Sequence, residues 1–180
     1  MMYKKLAIVL LAASLVITGL FINQYFQNQN IKRDLLGQYV IAQHNISGYL
    51  NDAVGYHLSG SNEYFIISLQ KASGEFRAVD NIIAPGSLLG QHTNATDLMY
   101  TSHANQMSFV NDSLGMAVNN DLSEEDLRRI ISFAEAMAYY TGLLDYGELI
   151  PGRSPDQIVS RIDDKLEQTS QLYTGNDFKH

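Results

Sequence analysis

Apolar side chains recur at alternating steps of three and four residues along most of this chain, and that spacing limits its possible folds more than any other feature. Residues spaced in this way lie on one side of an α-helix, so each run predicts an amphipathic helix. The five runs begin at Leu35, Phe65, Tyr100, Leu127 and Ile158. No segment alternates between apolar and polar residues as a half-buried strand does. The sequence therefore predicts an all-α fold, with an antiparallel bundle of about five helices over residues 24–173.

Capping patterns mark the start of two of these helices. Ser123 precedes three carboxylates in a row, which places a hydroxyl at the N-cap and negative charge at the positive end of a helix dipole. Residues 154–157 read Ser-Pro-Asp-Gln, a capping box with proline at the first helical position. Residues 174–180 follow the last run and are expected to form a flexible tail. The predicted core includes Phe65, Leu69, Phe76, Ile83, Leu127, Ile131, Ala134, Ala138, Ile158 and Ile162.

An uncharged apolar segment, residues 6–22, precedes the bundle and directly follows Lys4 and Lys5. As a helix it would be about 25 Å long, close to the ~30 Å of a bilayer hydrocarbon core. The two lysines can extend to the headgroups at one end of such a helix. This pattern predicts a transmembrane signal-anchor helix over residues 6–23. The chain from residue 23 to 36 contains no proline or glycine, so the first bundle helix is expected to continue the membrane helix without a break.

The same lysines predict the topology of the anchor. Positive charge beside an apolar segment indicates that residues 1–5 stay in the cytoplasm, which places residues 24–173 outside it. A short basic start before an apolar run is also typical of a secretory signal peptide that is cleaved. No cleavage site of the A-x-A type follows the run. A single-pass anchor in the cell membrane is therefore our first interpretation, and secretion after cleavage is the alternative.

Charge and composition exclude several classes of function. With Lys4 and Lys5 set aside, 10 basic residues stand against 19 acidic ones. Such a balance opposes binding to nucleic acid, which needs a basic surface to displace counterions from phosphates. The chain contains no cysteine. Disulfides, thiolate metal sites, cysteine nucleophiles and lipid attachment through cysteine are therefore excluded.

Motifs for catalysis, cofactors and metals are missing as well. None of the five histidines occurs in H-x-x-x-H, H-E-x-x-H or E-x-x-H, the spacings that place two metal ligands on one helical face. No nucleophile elbow, P-loop or dinucleotide-binding turn is present. The carboxylates of residues 124–126 are expected to cap a helix, and those of Asp163 and Asp164 to lie on a solvated face. We predict no catalytic residue, no cofactor and no metal.

Tyrosine is abundant, with 11 residues, and offers a possible ligand site. Tyr39, Tyr49 and Tyr56 belong to the apolar run of the first bundle helix, and His103 belongs to that of the third. The simpler interpretation is a core in which the rings are buried, the hydroxyls reach the edge and His103 is hydrogen-bonded. The alternative is that these four residues line a pocket for a small ligand, with His103 as a ligand or a proton sensor.

Three glycines form the second candidate site. Gly37, Gly48 and Gly55 are spaced by 11 and 7 residues, so they share one face of the first bundle helix with Asn51, opposite the tyrosines. Glycine inside a helix costs ~1 kcal/mol relative to alanine, and small residues let a second helix approach closely. The glycines either mark a bend or break in this helix, or form a surface that docks another helix of the bundle or of a partner chain.

Two functions follow from these observations. The first is a membrane-anchored, non-catalytic interaction or accessory subunit that binds a protein partner or forms a homo-oligomer through Gly37, Gly48, Asn51 and Gly55. The second is a small-ligand-binding sensory module that signals through a separate membrane partner. The layout is similar to that of the sensor domains of bacterial receptors, but only in architecture and without a shared motif, so it identifies no family.

Overall fold

A computed structural model describes the chain from residue 2 to residue 172, with side chains described from residue 14 to residue 169. This part of the chain is helical and contains no strand, which confirms the predicted all-α class. The helices are α1 (Met2–Leu58), α2 (Asn62–Ile83), α3 (Gly90–Thr93), α4 (Asp97–Asn119), α5 (Glu124–Leu143), α6 (Tyr146–Leu149) and α7 (Pro155–Leu172). The five long helices correspond to the five predicted ones, and α3 and α6 are single turns in the connections. The predicted tail, residues 174–180, lies outside the described residues.

Helix α1 is continuous over 57 residues, or about 85 Å. This continuity agrees with the expectation drawn from residues 23–36, which contain neither proline nor glycine. Its buried face begins at Leu35. The side chains of residues 14–31 are exposed, except that of Gln29, which is half-buried. This part of the helix therefore projects from the bundle. We call it the projecting segment.

The predicted membrane segment overlaps this part of α1. Among the described residues, no helix combines the length and the apolar character needed to cross a membrane. The side chains of residues 1–13, which include the two flanking lysines and the first half of the predicted segment, lie outside the described residues.

The bundle is built around the rest of α1. Gly60, with a positive φ of 76°, reverses the chain so that α2 returns antiparallel to α1. Helix α5 packs against α1, α4 packs against α2, and α7 contacts α1, α4 and α5. One hydrophobic core runs through these five helices. Its largest fully buried side chains are Tyr39, Tyr140, Phe65, Phe76, Leu36, Ile46, Leu50, Leu69, Ile83, Met99, Ile130 and Met137.

Most of the predicted core is buried as expected, but α5 is rotated relative to the prediction. Leu127, Ile131 and Ala138 are half-buried, whereas the other seven predicted core residues are buried. The buried face of α5 is centred instead on Ile130, Phe133, Ala134, Met137 and Tyr140. Its apolar residues cover more than one side of the helix, so their spacing did not fix which of them point inward.

Both predicted capping motifs are present. The Ser123 hydroxyl accepts from the Asp126 N–H, and the Asp126 carboxylate accepts from the Ser123 N–H. Ser154 and Gln157 exchange the equivalent pair of bonds at the start of α7. The C-terminal end of α4 is marked by Asn120, which adopts the left-handed conformation with φ 57°. These local signals fix the ends of the helices.

Candidate functional site

Tyr39 and Tyr140 form a buried hydroxyl pair that joins α1 to α5. Their oxygen atoms share a hydrogen bond of 2.9 Å, and both side chains are almost fully buried. Burial raises the pKa of both hydroxyls, and the negative charge of Asp163 raises them further. Both groups are therefore protonated at neutral pH, and the pair links α1 to α5.

The other two tyrosines of the predicted pocket lie elsewhere. The Tyr49 ring is half-buried, with the Lys71 ammonium 5.6 Å from its centroid. Tyr56 is exposed and its ring centroid lies 5.3 Å from that of Tyr64. Along α1, Tyr39 and Tyr56 are separated by about 25 Å of helix. The structure does not bring the three tyrosines together, because a shared helix face spreads them along the axis.

His103 is also apart from the tyrosine pair, at the contact between α4 and α2. Its ring is 1% exposed and lies 5.5 Å, centroid to centroid, from that of Phe76. Nε2 is 4.0 Å from the Asp80 carboxylate, and neither ring nitrogen makes a hydrogen bond of normal geometry. Burial lowers the pKa of His103 to about 4, although Asp80 and the Phe76 carbonyl favour the protonated ring. His103 is thus buried in the core, as the simpler interpretation expects, but lacks the well-formed hydrogen bond that this interpretation also expects.

Two polar features of the core were not predicted. Gln43 is fully buried, and neither atom of its amide has a hydrogen-bond partner. It lies four residues after Tyr39, so its position on the apolar side of α1 was visible in the spacing. Asp163 was expected on a solvated face, but it is half-buried and accepts a hydrogen bond of 2.7 Å from Thr96. Burial raises the pKa of this carboxyl.

The three glycines share a helix face but not an environment. Gly37 is buried, and a Cβ placed there would lie 3.1 Å from the Tyr146 ring of α6. Gly48 and Gly55 are exposed, and in the part of the chain that the structure describes no side chain or distant backbone lies within 4 Å of an added Cβ. The interpretation that all three dock one helix of the same bundle is therefore wrong, because the connection through α6 covers only one end of the face. The break is also absent, since α1 remains helical at all three positions.

The uncovered part of this face forms a surface along α1. Ile41 is 51% exposed and Leu58 is 73% exposed, and between them lie Gly48, Asn51 and Gly55, all exposed. At about 100° per residue these five positions fall within about 100° of the helix circumference. We call this surface the outer face of α1. It presents a smooth centre between two apolar side chains.

A hydrogen bond fixes α1 within the arc of the outer face, between Ile41 and Gly48. His44 Nε2 donates to the Leu144 carbonyl oxygen at 2.8 Å, since the carbonyl can only accept. This bond ties the middle of α1 to the end of α5.

The acidic side chains are the remaining groups that could bind a metal ion. Within the described part of the chain, no three His, Asp or Glu side chains are grouped to hold a metal ion. Asp126 is engaged in the capping motif, which lowers its pKa through the Ser123 hydrogen bonds, and Glu125 forms an ion pair of 3.1 Å with Arg128. The predicted capping role is thus present at Asp126, whereas Glu125 forms an ion pair that was not predicted from the sequence.

Comparison with known proteins finds no matching family, no similar curated protein and no matching solved structure.

Proposed function

We propose that this protein is a membrane-anchored, non-catalytic interaction subunit, and that the outer face of α1 docks a helix of a partner protein. The observation that carries this proposal is that Gly48 and Gly55 lie uncovered on the central helix of the bundle. Helix α1 is contacted by α2, α3, α5, α6 and α7 on its other sides. Glycine at two exposed helical positions lowers helix stability by ~1 kcal/mol each. Within the described residues, no side chain lies against either position to offset this loss.

The chemistry of the outer face suits a helix as the partner. Glycine lets two helix backbones approach closely, and Asn51 between the glycines offers an amide that can donate and accept hydrogen bonds. Ile41 and Leu58 provide apolar contacts at either end of the face. The face contains no lysine or arginine among these five positions, so it is not built to bind an anionic ligand.

The proposed anchor is supported by the sequence of the N-terminal segment and by the shape of α1. Residues 6–22 are uncharged and follow Lys4 and Lys5. In the projecting segment the apolar side chains are exposed on all sides, Phe21 by 68% and Leu20 by 64%. Such a large apolar surface is unfavourable in water and is typical of a segment that contacts a membrane or another protein. Because the anchor and the outer face belong to one continuous helix, we expect the partner to be held in the same membrane.

Co-purification from detergent-solubilised membranes tests the docking proposal. The double variant Gly48→Leu, Gly55→Leu places two large side chains on the outer face and should lose the partner that the native chain retains. The matched control is Gly74→Leu, Gly115→Leu, since these glycines are also exposed in helices, on α2 and α4, with open space around them. The control should keep the partner. Retention by both variants, or loss from both, would contradict the proposal, and a product containing only this chain would identify a second copy as the partner.

A ligand-binding sensory module is the second candidate, and one recess favours it. This recess of about 240 Å³ lies between α4 and α5, with Phe109, Met116 and Arg129 in its lining. Ligand pockets are usually ~300–1,000 Å³. The recess is smaller, it contains none of the tyrosines of the predicted pocket, and one of its carboxylates, Asp126, is engaged in the capping motif. The geometry therefore supports the interaction subunit better.

A further inference from the structure

The connection between α2 and α3 exposes two adjacent leucines. Leu88 is 82% exposed, the highest value among the large apolar side chains described, and Leu89 is 40% exposed. Residues 81–96, which contain this connection, include no aspartate, glutamate, lysine or arginine. In an acidic bundle this is an uncharged surface with an apolar tip. We call residues 84–89 the leucine loop.

The backbone of the leucine loop is fixed by its own hydrogen bonds. The Ser87 hydroxyl donates to the Asn81 carbonyl oxygen at 2.7 Å and accepts from the Gly90 N–H at 2.7 Å. Gly90 is needed there because a Cβ would overlap the Ala84 carbonyl group. These bonds hold the loop in a tight turn, so Leu88 is presented outward by a defined backbone.

The leucine loop lies at the end of the bundle from which the projecting segment emerges. Helix α2 runs antiparallel to α1 and ends at Ile83, next to the start of the buried part of α1. Just after the loop, the Asn94 side chain accepts a hydrogen bond of 3.2 Å from the Lys32 ammonium. Lys32 is ten residues beyond Ile22, the end of the apolar segment, which corresponds to about 15 Å of helix.

We propose that the leucine loop contacts the lipid headgroup region and inserts Leu88 into it. This inference rests on the proposed membrane anchor and adds a second membrane contact. The headgroup layer extends ~5–8 Å beyond the hydrocarbon core, and membrane helices are tilted by ~20° on average and by up to ~40°. Neighbouring helices pack ~8–10 Å apart, so a tilt of α1 toward α2 near ~40° lowers the loop from about 15 Å to about 6 Å above the hydrocarbon core, which is within this layer. The contact covers an apolar side chain that is otherwise exposed to water, and it fixes the direction in which the bundle leans.

The absence of tryptophan from the chain allows a direct test. The full chain is inserted into vesicles of phosphatidylcholine and phosphatidylglycerol with one tryptophan at a time, in the variants Leu88→Trp, Leu20→Trp and Leu58→Trp. Leu20 lies in the apolar segment, and Leu58 is 73% exposed at the far end of α1. Leu89→Trp serves as a second probe of the loop, and circular dichroism verifies the helical fold of each variant. Emission is recorded with and without brominated acyl chains, which quench tryptophan in contact with lipid.

We expect the probe of Leu88→Trp to emit at a shorter wavelength than that of Leu58→Trp and to be quenched by brominated lipid. If the Leu20→Trp probe is quenched while both loop probes behave like that of Leu58→Trp, the loop contact is disproved and the anchor stands. If the Leu20→Trp probe is not quenched, the anchor itself fails and the loop contact with it. A shorter wavelength in the loop without quenching would mean that protein covers it, which also overturns the lipid contact.

Discussion

Tyr39 of α1 and Tyr140 of α5 share a buried hydrogen bond of 2.9 Å between positions 101 residues apart in the sequence. Replacing either residue by phenylalanine leaves the other hydroxyl buried without a partner, which costs ~1–3 kcal/mol of stability. Replacing both removes the unpaired group, so the double variant should lose less than the sum of the two single losses. Urea denaturation of the four proteins measures this coupling. Strict additivity would show that the bond contributes nothing.

The unpaired amide of Gln43 predicts a stabilising substitution. Gln43→Met keeps a similar side-chain volume and removes a buried polar group that lacks a partner. The free energy of unfolding should rise by ~1–3 kcal/mol. Ser73→Ala is the control, because the Ser73 hydroxyl donates to Asn111 at 2.6 Å and its removal should lower stability. A loss of stability in Gln43→Met would show that the amide is hydrogen-bonded in solution.

The burial of His103 predicts a pH dependence of stability. Its pKa is about 4 in the folded chain against an ordinary 6.5, so below pH 6.5 the unfolded chain binds a proton that the folded chain does not. The free energy of unfolding should therefore fall between pH 6.5 and pH 4, by up to ~3 kcal/mol at 1.36 kcal/mol per pKa unit.

The His103→Phe variant should lose this part of the pH dependence. Burial also raises the pKa of Asp163, so the difference between the native chain and the variant is the quantity to compare. His92→Gln is the control, since His92 is exposed. Equal slopes in the native chain and in His103→Phe would refute the assignment.

Substitution of the three glycines by alanine should change stability differently along one helix. Gly48→Ala and Gly55→Ala add side chains to open space and should each raise the melting temperature through a gain of up to ~1 kcal/mol in helix propensity. Gly37→Ala gains the same propensity but requires the Tyr146 ring to move, so its net stabilisation should be smaller or negative. Calorimetry of the three single variants separates the sites. An equal gain at all three would mean that Tyr146 does not restrict Gly37.

The helices and their ends were predictable because they depend on residues close in the chain. The three-and-four spacing of apolar side chains identified all five long helices. The Ser123 and Ser154 motifs involve partners only three residues away, so the sequence contained both halves of each.

Contacts between helices were not predictable in the same way. Nothing near Tyr39 in the sequence identifies Tyr140 as its partner. Gly37 and Gly48 lie on the same helix face, yet one is covered by α6 and the other is not, which depends on the path of a distant connection. The burial of Gln43 breaks the rule that polar residues face outward, so a pattern based on polarity alone assigns it wrongly.

The central claim is that the outer face of α1 docks a helix. The most direct test is site-specific photocrosslinking from position 51 in intact membranes. Asn51 lies between Gly48 and Gly55 and is exposed, and exposed Gln70 on α2 is the control position. We predict one crosslinked product of defined mass from position 51, none from position 70, and loss of the product when Gly48→Leu and Gly55→Leu are added. No product from position 51, or the same products from both positions, would contradict the claim.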